Sequence, residues 1–480
     1  MPDELTRRTS DSLEEKYSMA QILKVGLAAG LNPFVAPFVK AALFRAAAEA
    51  HRTIELIEDD TELRKDAPTE RIGLGDMKIA SLESVFRLQE KGCDVVLIGN
   101  LRSEVFLSEV QTEVTVPVVS LFAGAAEAIL ASGKKRVGLL GCAFPAELVR
   151  QMLGDDVELI EGSQLSCVNT ADINVVRDEA KLLLEQGAEI LLPCCGRVAG
   201  VLPELMKEGV PAVDILALAA HKAVAATPAR LPKPFKIGLI GGLGPAATVD
   251  LYDKIVRQTP AKNDQEHFKL VVEQNPQIPD RTAHLLGDGV DPTLAMYGCA
   301  RRLQQSGCDA VIIPCNTAHA FIPYLERHLD IPFINMQIAT MQEIKAKFGD
   351  KARIGLLATS GTVKTGIYSE KAKAMDIPLF VPDEENQKKV MDAIYGPKGA
   401  KAGFTDGQCH DDLCAAADYL VRTYDCNCLI LGCTELPLIL HECDDFECGG
   451  KVVSVIDPTS ALARKVVATA EESYREHGVR

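Results

Sequence analysis

The sequence has no excess of positive charge, because 51 lysines and arginines stand against 67 aspartates and glutamates, for a formal net charge of −16. Nucleic acids and anionic membrane surfaces repel a chain with this balance. We therefore expect neither as a partner. The 47% hydrophobic and 25% charged residues are those of a soluble globular protein, and a small solute is the expected ligand.

The sequence also lacks a long hydrophobic run. Its most apolar early stretch, residues 25–39, is short and contains Pro33 and Pro37, whereas a membrane-spanning helix needs about 20 apolar residues. The first 20 residues are polar and rich in charge, unlike a secretory signal. We expect a cytoplasmic protein of roughly two to four domains.

A clear metal-binding pattern is missing as well, although the sequence has 15 cysteines. Structural zinc ligands usually come as tight pairs separated by a loop. The nearest approach to such a set is Cys426, Cys428, Cys433, His441, Cys443 and Cys448. Because Cys428 and Cys433 lie in or at the end of an apolar strand, they are expected to pack as small core residues. Free thiols in a reducing compartment, without a bound metal, are the prediction.

What the sequence does contain is an alternation of apolar strand-like runs and helical stretches, which is typical of parallel sheets flanked by helices. The predicted strands of the first half are residues 23–27, 54–57, 95–98, 117–121, 136–140, 157–160, 190–192 and 213–215. Those of the second half are residues 236–240, 270–273, 310–313, 333–335, 354–357, 379–381, 429–431 and 452–456. The predicted fold class is α/β.

The two halves are similar to each other, which indicates an internal duplication. Residues 92–100 align with 307–315, and residues 189–194 align with 428–433. Between the halves, residues 227–234 contain three prolines and favour an extended linker. The predicted domains are therefore residues 1–226 and 235–480, each an α/β domain.

Two apolar runs of the second half each lead into a cysteine, in the strings IIPCNTAH (residues 312–319) and ILGCTELP (residues 430–437). Each run is predicted to be a buried parallel strand, and the polar residue after the cysteine can cap a helix. Cys315 and Cys433 are thereby placed at strand ends, where ligands bind in open α/β sheets and a helix N-terminus favours a thiolate. A thiolate and a thiol on opposite faces of one carbon can remove a proton and return another with inversion.

The negative charge that develops in such a reaction needs cations and amide donors. The loop GGLGP (residues 241–245) follows a predicted strand, so the amides around Gly242 and Gly244 can hold a carboxylate. Simple turn geometry explains the glycines equally well. Arg281 lies in a proline-bounded loop, and its planar fork suits a carboxylate. A solvated surface charge is the alternative for a lone loop arginine.

Residues 235 to about 470 resemble the cofactor-independent aspartate racemases of the aspartate/glutamate racemase superfamily. The strings that carry the resemblance are GGLGPAAT (241–248), DQEH (264–267), NPQIPDRT (275–282), PCNTAH (314–319), LLATSGT (356–362), KAG (401–403) and GCTELP (432–437). The resemblance implies two similar α/β lobes with the active site between them, frequently in a dimer. It also implies that neither pyridoxal phosphate nor a metal is used.

Carried over by position, the resemblance makes Cys315 and Cys433 the acid/base pair. It places Arg281 and Lys401 at the distal carboxylate of the substrate, with Lys398 a near competitor of Lys401. The remaining residues that it places in the site are Asn316, Thr317, Thr359 and Thr434.

Two further details of the second half bear on its chemistry. Glutamate racemases of the superfamily typically have Thr and His after the second cysteine, whereas this chain has Glu435, which favours the aspartate branch. His319 and His267 could each assist a thiol, or could equally position their own loops.

The first half resembles the superfamily only as a diverged relative of the second. Cys194 aligns with Cys433, but Asn100 stands at the position of Cys315 and cannot serve as a base. Two-base racemisation is therefore not expected there. The expected role is ligand sensing or packing, in which the domain substitutes for the partner subunit of a homodimer. One-thiol chemistry at Cys194 is the alternative.

Three functions are compatible with these residues. The first is interconversion of L- and D-aspartate by two-base proton transfer. The second is racemisation of a broader range of amino acids. The third is an idle domain pair that binds amino or dicarboxylic acids. A small molecule is the ligand in each.

Overall fold

A computed structural model describes residues 22–61, 73–141, 146–162, 172–287 and 289–478. The chain divides into two compact units, Met1–Lys233 and Pro234–Arg480. The division falls at the end of the proline-rich stretch of residues 227–234. No helix of the described ranges is both long and apolar enough to cross a membrane.

The first unit contains two parallel sheets, with strand orders β2-β1-β3-β4 and β6-β5-β7. Their strands are β1 (Leu23–Ala28), β2 (Ile54–Asp59), β3 (Val95–Ile98), β4 (Val118–Val119), β5 (Arg136–Leu140), β6 (Glu158–Glu161) and β7 (Ile190–Pro193). The helices are α1 (Ala36–Glu49), α2 (Leu74–Glu90), α3 (Leu107–Glu113), α4 (Ala125–Ala131), α5 (Ala146–Leu153), α6 (Ile173–Glu185), α7 (Gly196–Lys207) and α8 (Ile215–Val224).

The prediction of a strand at residues 213–215 is wrong. Only an isolated bridge joins Leu191 to Ala212, and α8 begins at Ile215. The side chain of Asp214 accepts a hydrogen bond from the amide of Ala217 and so caps the helix. A cap of this kind starts a helix even where the preceding residues are apolar.

The second unit also contains two sheets, with orders β10-β8-β9 and β12-β11-β13-β15-β14. Their strands are β8 (Lys236–Gly241), β9 (Lys269–Gln274), β10 (Ala310–Ile312), β11 (Ile354–Ala358), β12 (Leu379–Phe380), β13 (Cys428–Gly432), β14 (Cys443–Cys448) and β15 (Lys451–Ile456). We call the three-stranded sheet with its helices the first lobe, and the five-stranded sheet with its helices the second lobe. Every pairing is parallel except that of β14 with β15.

Ten helices of the described chain follow these strands: α9 (Pro245–Gln258), α10 (Arg281–Leu286), α11 (Thr293–Gln305), α12 (Ile322–Leu325), α13 (Met336–Phe348), α14 (Ser360–Thr365), α15 (Ile367–Ala374), α16 (Glu384–Tyr395), α17 (Gln408–Tyr424) and α18 (Pro458–His477). Short 3₁₀ turns at Thr317–Ala320, Ala400–Ala402 and Leu436–Leu438 follow two of the strands and one helix. The predicted α/β class, with parallel sheets flanked by helices, is confirmed.

One local prediction for the second unit is wrong, and one strand was not predicted. At residues 333–335 only a bridge between Val311 and Phe333 forms, because Asn335 caps α13 by accepting hydrogen bonds from the amides of Gln337 and Ile338. The antiparallel strand β14 was not expected, since its string CDDFEC is too polar to suggest a strand. It lies at the edge of its sheet, where one face can meet water.

Fully buried strands precede both cysteine-bearing loops of the second unit. In β10, β11 and β13 every residue is buried, so the strands are apolar on both faces. Cys315 follows β10 in the first lobe, and Cys433 directly follows β13 in the second. Parallel strands present their carboxyl ends at one edge of a sheet, which is where each cysteine lies.

A buried ion pair ties α9 of the first lobe to the start of α18. Nζ of Lys254 donates to the carboxylates of both Asp250 and Asp457. Asp457 is only 1% exposed and caps α18 by accepting from the amide of Thr459 and the hydroxyl of Ser460. Both helices also contribute side chains to one apolar cluster. The ion pair therefore lies beside the packing contact between α9 and α18.

Lys254→Met should destabilise the full chain by about 2 to 3 kcal/mol, because a buried carboxylate at Asp457 loses its cation. Urea and thermal unfolding followed by circular dichroism measure the effect. Lys388→Met is the matched control, since Lys388 pairs with Asp392 on the exposed face of α16 and should change the midpoint little. Equal shifts in the two variants would contradict the prediction.

Candidate functional site

Two cysteines from different sheets line a single cavity in the second unit. Its walls are formed by Leu243, Arg281, Thr282, Cys315, Asn316, Thr317, Thr359, Tyr395, Lys401, Cys433, Thr434 and Glu435. Side chains from both lobes therefore meet around one small space that contains two thiols.

The two thiols are almost fully buried, with exposures of 7% for Cys315 and 6% for Cys433. Each follows a strand whose residues are all buried, which fixes the backbone before the cysteine. The close packing of Gly432 on Ala358 shows how tight this strand end is, since a Cβ at Gly432 would lie 2.8 Å from that methyl group. Both thiols are thus held on the scaffold rather than on mobile chain.

The neighbour of Cys315 is the buried guanidinium of Arg281. Its Nη1 donates to the carbonyls of Ile278 and Pro279, and its Nη2 donates to the carbonyl of Leu243 at 3.0 Å. Burial lowers the pKa of Arg281, but the charge of Cys315 and a hydrogen bond with it outweigh burial and raise the pKa above its usual range. A fixed cation therefore faces the first thiol.

The neighbour of Cys433 is a carboxylate. Its Sγ donates to Oε2 of Glu435 at 2.9 Å, and Oε1 of Glu435 lies 3.1 Å from Nζ of Lys401. Burial raises the pKa of Cys433 well above its usual value, and the negative charge of Glu435 raises it further. The second thiol is thus held in its protonated form.

Lys401 contacts Glu435 on one side and the ring of Tyr395 on the other, and the ring centroid lies 5.1 Å from Nζ. Burial lowers the pKa of Lys401, but the charge of Glu435 outweighs burial and raises it above its usual value. The ammonium group is therefore charged. Burial also raises the pKa of Tyr395 to about 12, so its hydroxyl is neutral.

Two buried donors in the cavity wall have no hydrogen-bond partner within the described ranges, Nε of Arg281 and Nδ2 of Asn316. The Oδ1 of Asn316 accepts a 2.6 Å hydrogen bond from the buried hydroxyl of Tyr368, which orients the amide. Unpaired buried donors are costly. An acceptor such as a carboxylate oxygen would satisfy both.

Four threonine hydroxyls join the two lobes beside the cavity. Thr317 of the first lobe lies 3.1 Å from Thr359 and 2.9 Å from Thr362 of the second lobe. Thr359 and Thr362 lie 3.1 Å apart, and Thr282 reaches Thr359 at 3.5 Å. The predicted site residues Thr317 and Thr359 thus bond to each other as well as lining the cavity.

His319 has a structural role. Its Nδ1 donates to the carbonyl of Cys315 at 2.9 Å, and its Nε2 accepts from the amide of Met336 at 3.1 Å. Both nitrogens are occupied, and burial lowers the pKa of His319 to about 4. The ring is therefore neutral and positions the cysteine backbone, and it does not line the cavity.

Most of the predicted site residues are brought together, but the glycine loop contributes differently. Leu243 lines the cavity, whereas Gly242 and Gly244 do not. The amide of Gly242 donates to the hydroxyl of Thr248 at 3.0 Å. Gly244 has a φ of +125°, and a Cβ there would lie 2.6 Å from Oε1 of Glu435. Gly244 therefore makes room for a side chain of the site.

Lys401 lines the cavity, whereas Lys398, the alternative lysine for contact with the distal carboxylate of the substrate, does not. Thr282 and Tyr395 were not predicted to line the cavity. Glu435 was predicted only to favour the aspartate branch of the superfamily over the glutamate branch. The carboxylate of Glu435, two residues after a candidate acid/base thiol, could have been recognised from the sequence. Tyr395 is the last residue of α16, and only the packing of that helix places it in the cavity wall. No cluster of three or more His, Cys, Asp or Glu suited to a metal occurs in the described ranges.

In the first unit, the positions equivalent to the two thiols are occupied by Asn100 and Cys194. Asn100 is buried, and its side chain accepts from the amide of Arg102 at 3.1 Å. The thiol of Cys194 donates to the carbonyl of Leu192, and burial raises its pKa to about 12. Cys142 and Cys167 lie outside the described residues.

Comparison with known proteins gives a consistent match for the second unit. The profile of the Asp/Glu/Hydantoin racemase family matches residues 240–466. The chain is 24% identical over 241 residues to the broad specificity amino-acid racemase RacX of Bacillus subtilis (strain 168), which covers 48% of this chain and 97% of RacX.

Two further proteins are similar to part of this chain. An uncharacterized protein in the pnlA 3′ region of Pectobacterium carotovorum subsp. carotovorum is 34% identical over 157 residues, with 32% of this chain and 94% of that protein covered. Among solved structures, Picrophilus torridus aspartate racemase is 28% identical, with 51% of this chain and 99% of that chain covered and a TM-score of 0.41.

His319→Gln should change how stability depends on pH. The unfolded chain binds a proton at His319 near pH 6.5, whereas the folded protein does so only near pH 4. The folded state therefore loses up to about 3 kcal/mol at this residue as the pH falls between those values. Glutamine cannot titrate, so unfolding measured from pH 7 to pH 4 should show a smaller loss. The exposed control His328→Gln should behave like the unaltered protein.

Proposed function

Because the second half of this chain belongs to the Asp/Glu racemase family, we propose that the protein is an amino-acid racemase that uses Cys315 and Cys433 as its two proton-transfer groups. The observation that carries the proposal is the placement of both thiols in one cavity, one beside a cation and the other beside a carboxylate. The reaction proposed is interconversion of enantiomers at the α carbon, without a cofactor.

The two thiols have complementary surroundings for this chemistry. Cys315 lies beside the guanidinium of Arg281, and we assign to its thiolate form the removal of the proton. Cys433 donates its proton to Glu435 and is held as a thiol, which can deliver a proton. If the substrate carbon lies between them, removal on one face and delivery on the other invert the centre.

The cavity wall also offers groups for the charge that develops on the substrate. Removal of an α proton moves negative charge onto the carboxylate, and preorganised donors lower the energy of that state. Nδ2 of Asn316 and Nε of Arg281 are buried donors that await an acceptor. Fixed donors of this kind need no reorganisation during the reaction.

For the substrate, we propose aspartate or a related dicarboxylic amino acid. Arg281 and Lys401 bring two cations into the cavity wall, beside the unpaired donors Nε of Arg281 and Nδ2 of Asn316. A substrate with two carboxylates can contact these cations and donors at both ends. This set of groups supports acidic substrates over neutral ones.

A broader substrate range is the second candidate, and the ion pair between Lys401 and Glu435 favours it. With Lys401 already paired, recognition of a distal carboxylate rests mainly on Arg281. A neutral amino acid then loses fewer contacts than it would in a site with two unpaired cations. The RacX relative, described as of broad specificity, agrees with this candidate.

The first unit is proposed to be a diverged domain that does not racemise. Asn100 has no ionisable side chain, and the thiol of Cys194 is held in its protonated form by burial. A pair of opposed acid and base groups is therefore lacking at these two aligned positions. Ligand sensing or packing is the proposed role.

Proton NMR in deuterated water tests the activity directly. Purified protein without pyridoxal phosphate should introduce deuterium at the α carbon of L-aspartate, and chiral chromatography should detect D-aspartate. L-Glutamate and neutral amino acids define the substrate range. If no amino acid exchanges its α hydrogen under reducing conditions, but one of them raises the melting temperature, the chain is a binding protein.

Cys315→Ala and Cys433→Ala should each reduce racemisation at least about 1,000-fold, because one face of the substrate loses its proton-transfer group. Chiral product analysis measures the loss. Cys409→Ala is the matched control, since Cys409 is buried in the same unit but does not line the cavity. Full activity in either cavity variant would contradict the two-base mechanism.

Arg281→Ala should raise the KM for aspartate about 10-fold or more, because a charged hydrogen-bonded contact contributes about 1.5 to 3 kcal/mol. Neutral amino acids should be affected less. Arg302→Ala is the control, since that arginine pairs with Glu273 at the surface. An equal loss for acidic and neutral substrates would assign Arg281 to the shared α-carboxylate or to Cys315 instead.

A further inference from the structure

Glu435 lies between the thiol of Cys433 and the ammonium group of Lys401. Its Oε2 accepts from Sγ at 2.9 Å, and its Oε1 lies 3.1 Å from Nζ. The residue is only 5% exposed. A single buried carboxylate therefore contacts one of the two proposed proton-transfer groups and one of the two proposed substrate-binding cations.

Several elements fix this carboxylate in place. The hydroxyl of Thr434 also reaches Oε2, at 3.4 Å. The loop after β8 leaves space for Oε1, because any Cβ at Gly244 would lie 2.6 Å from it. Glu435 itself begins the 3₁₀ turn Leu436–Leu438, so its backbone is held by regular structure. The carboxylate is thus built into the wall of the cavity.

The two thiols therefore have unequal neighbours. Cys315 faces the guanidinium of Arg281, a cation. Cys433 faces a carboxylate, which opposes negative charge on sulfur and accepts its proton in a hydrogen bond. Lys401 acts on Cys433 in the opposite sense, but Glu435 pairs with it and reduces its effect.

We propose that Glu435 is a positioning residue that keeps the proton on Cys433, so that Cys433 enters the reaction as the acid and leaves the role of base to Cys315. This inference rests on the proposed two-thiol racemase. It assigns a direction to the resting site, in which the substrate enantiomer whose α hydrogen faces Cys315 reacts with the resting form.

The proton balance of one turnover follows from this assignment. The thiolate of Cys315 takes the α proton, and the C–H electron pair stays on the substrate. Cys433 then gives its proton to the opposite face. The products are a thiol at Cys315 and a thiolate at Cys433 beside the carboxylate of Glu435. Repulsion between these two anions favours return of a proton from solvent to Cys433, while Cys315 loses its proton to solvent.

Thiol labelling tests the inference without requiring turnover, because the thiolate is the species that iodoacetamide alkylates. Labelling rates at Cys315 and Cys433 are measured by mass spectrometry of the full chain between pH 6 and pH 10. Cys315 should react faster than Cys433 in the unaltered protein. Glu435, Lys401 and Tyr395 are the titratable groups that act on Cys433 in the described chain, and only the first is changed.

Glu435→Gln keeps the shape of the side chain but removes its charge. It should raise the labelling rate of Cys433 at pH 8 by about 10-fold or more, which corresponds to a pKa lowered by one unit or more. The rate at Cys315 should change much less. Glu435→Asp retains the charge and should restore slow labelling of Cys433. Cys409, which is buried outside the cavity, reports any general loosening of the fold.

Unchanged labelling of Cys433 in Glu435→Gln would overturn the inference. A parallel rise at Cys315, Cys433 and Cys409 would overturn it as well, since it would show a loosened fold rather than a change in charge. Failure of the proposed function is distinguishable, because α-hydrogen exchange would then be absent in the unaltered protein. A labelling difference that depends on Glu435 would support the inference in either case.

Discussion

The cluster of four threonine hydroxyls between the lobes is the interaction on which the geometry of the candidate site depends. Thr317 follows the strand that carries Cys315, and Thr359 follows a strand paired with the one that carries Cys433. Their hydrogen bonds hold the ends of two separate sheets together. In a site that needs groups on opposite faces of one carbon, the separation of the lobes sets the separation of the thiols. Small hydroxyls allow the close approach that longer polar side chains would prevent.

Burial gives the charges around this cluster their strength. In water, a carboxylate beside a thiol would have a weak effect, whereas in a cavity with little water the same contact is much stronger. The structure offsets the cost of burial by pairing Glu435 with Lys401 and by surrounding Arg281 with backbone carbonyls. The donors that stay unpaired, on Arg281 and Asn316, are those that an acidic ligand can satisfy.

The two units share a type of scaffold but differ at the aligned positions of the two thiols. Both contain parallel sheets with fully buried strands and the same alternation of strand and helix. At the aligned positions, however, Asn100 replaces a thiol, and Gly196 stands where Glu435 stands in the second unit. A Cβ at Gly196 would lie 2.4 Å from the side chain of Val35, so apolar packing occupies the space that the carboxylate takes in the second unit. The strands remain because their burial stabilises the fold, whichever residues follow them.

The amino-acid sequence by itself determined the α/β class, nearly all of the strands and the strand-end positions of Cys315 and Cys433, because apolar periodicity and turn residues are local signals. It failed at residues 213–215 and 333–335, where Asp214 and Asn335 cap helices and override apolar neighbours. Only the tertiary structure decided the partners of the two thiols, since Arg281 and Glu435 reach them through contacts between distant segments. It also decided the roles of His319 and Gly244, which do not line the cavity but lie against Cys315 and Glu435 of its wall. Long-range packing determines such contacts, and a local pattern cannot specify them.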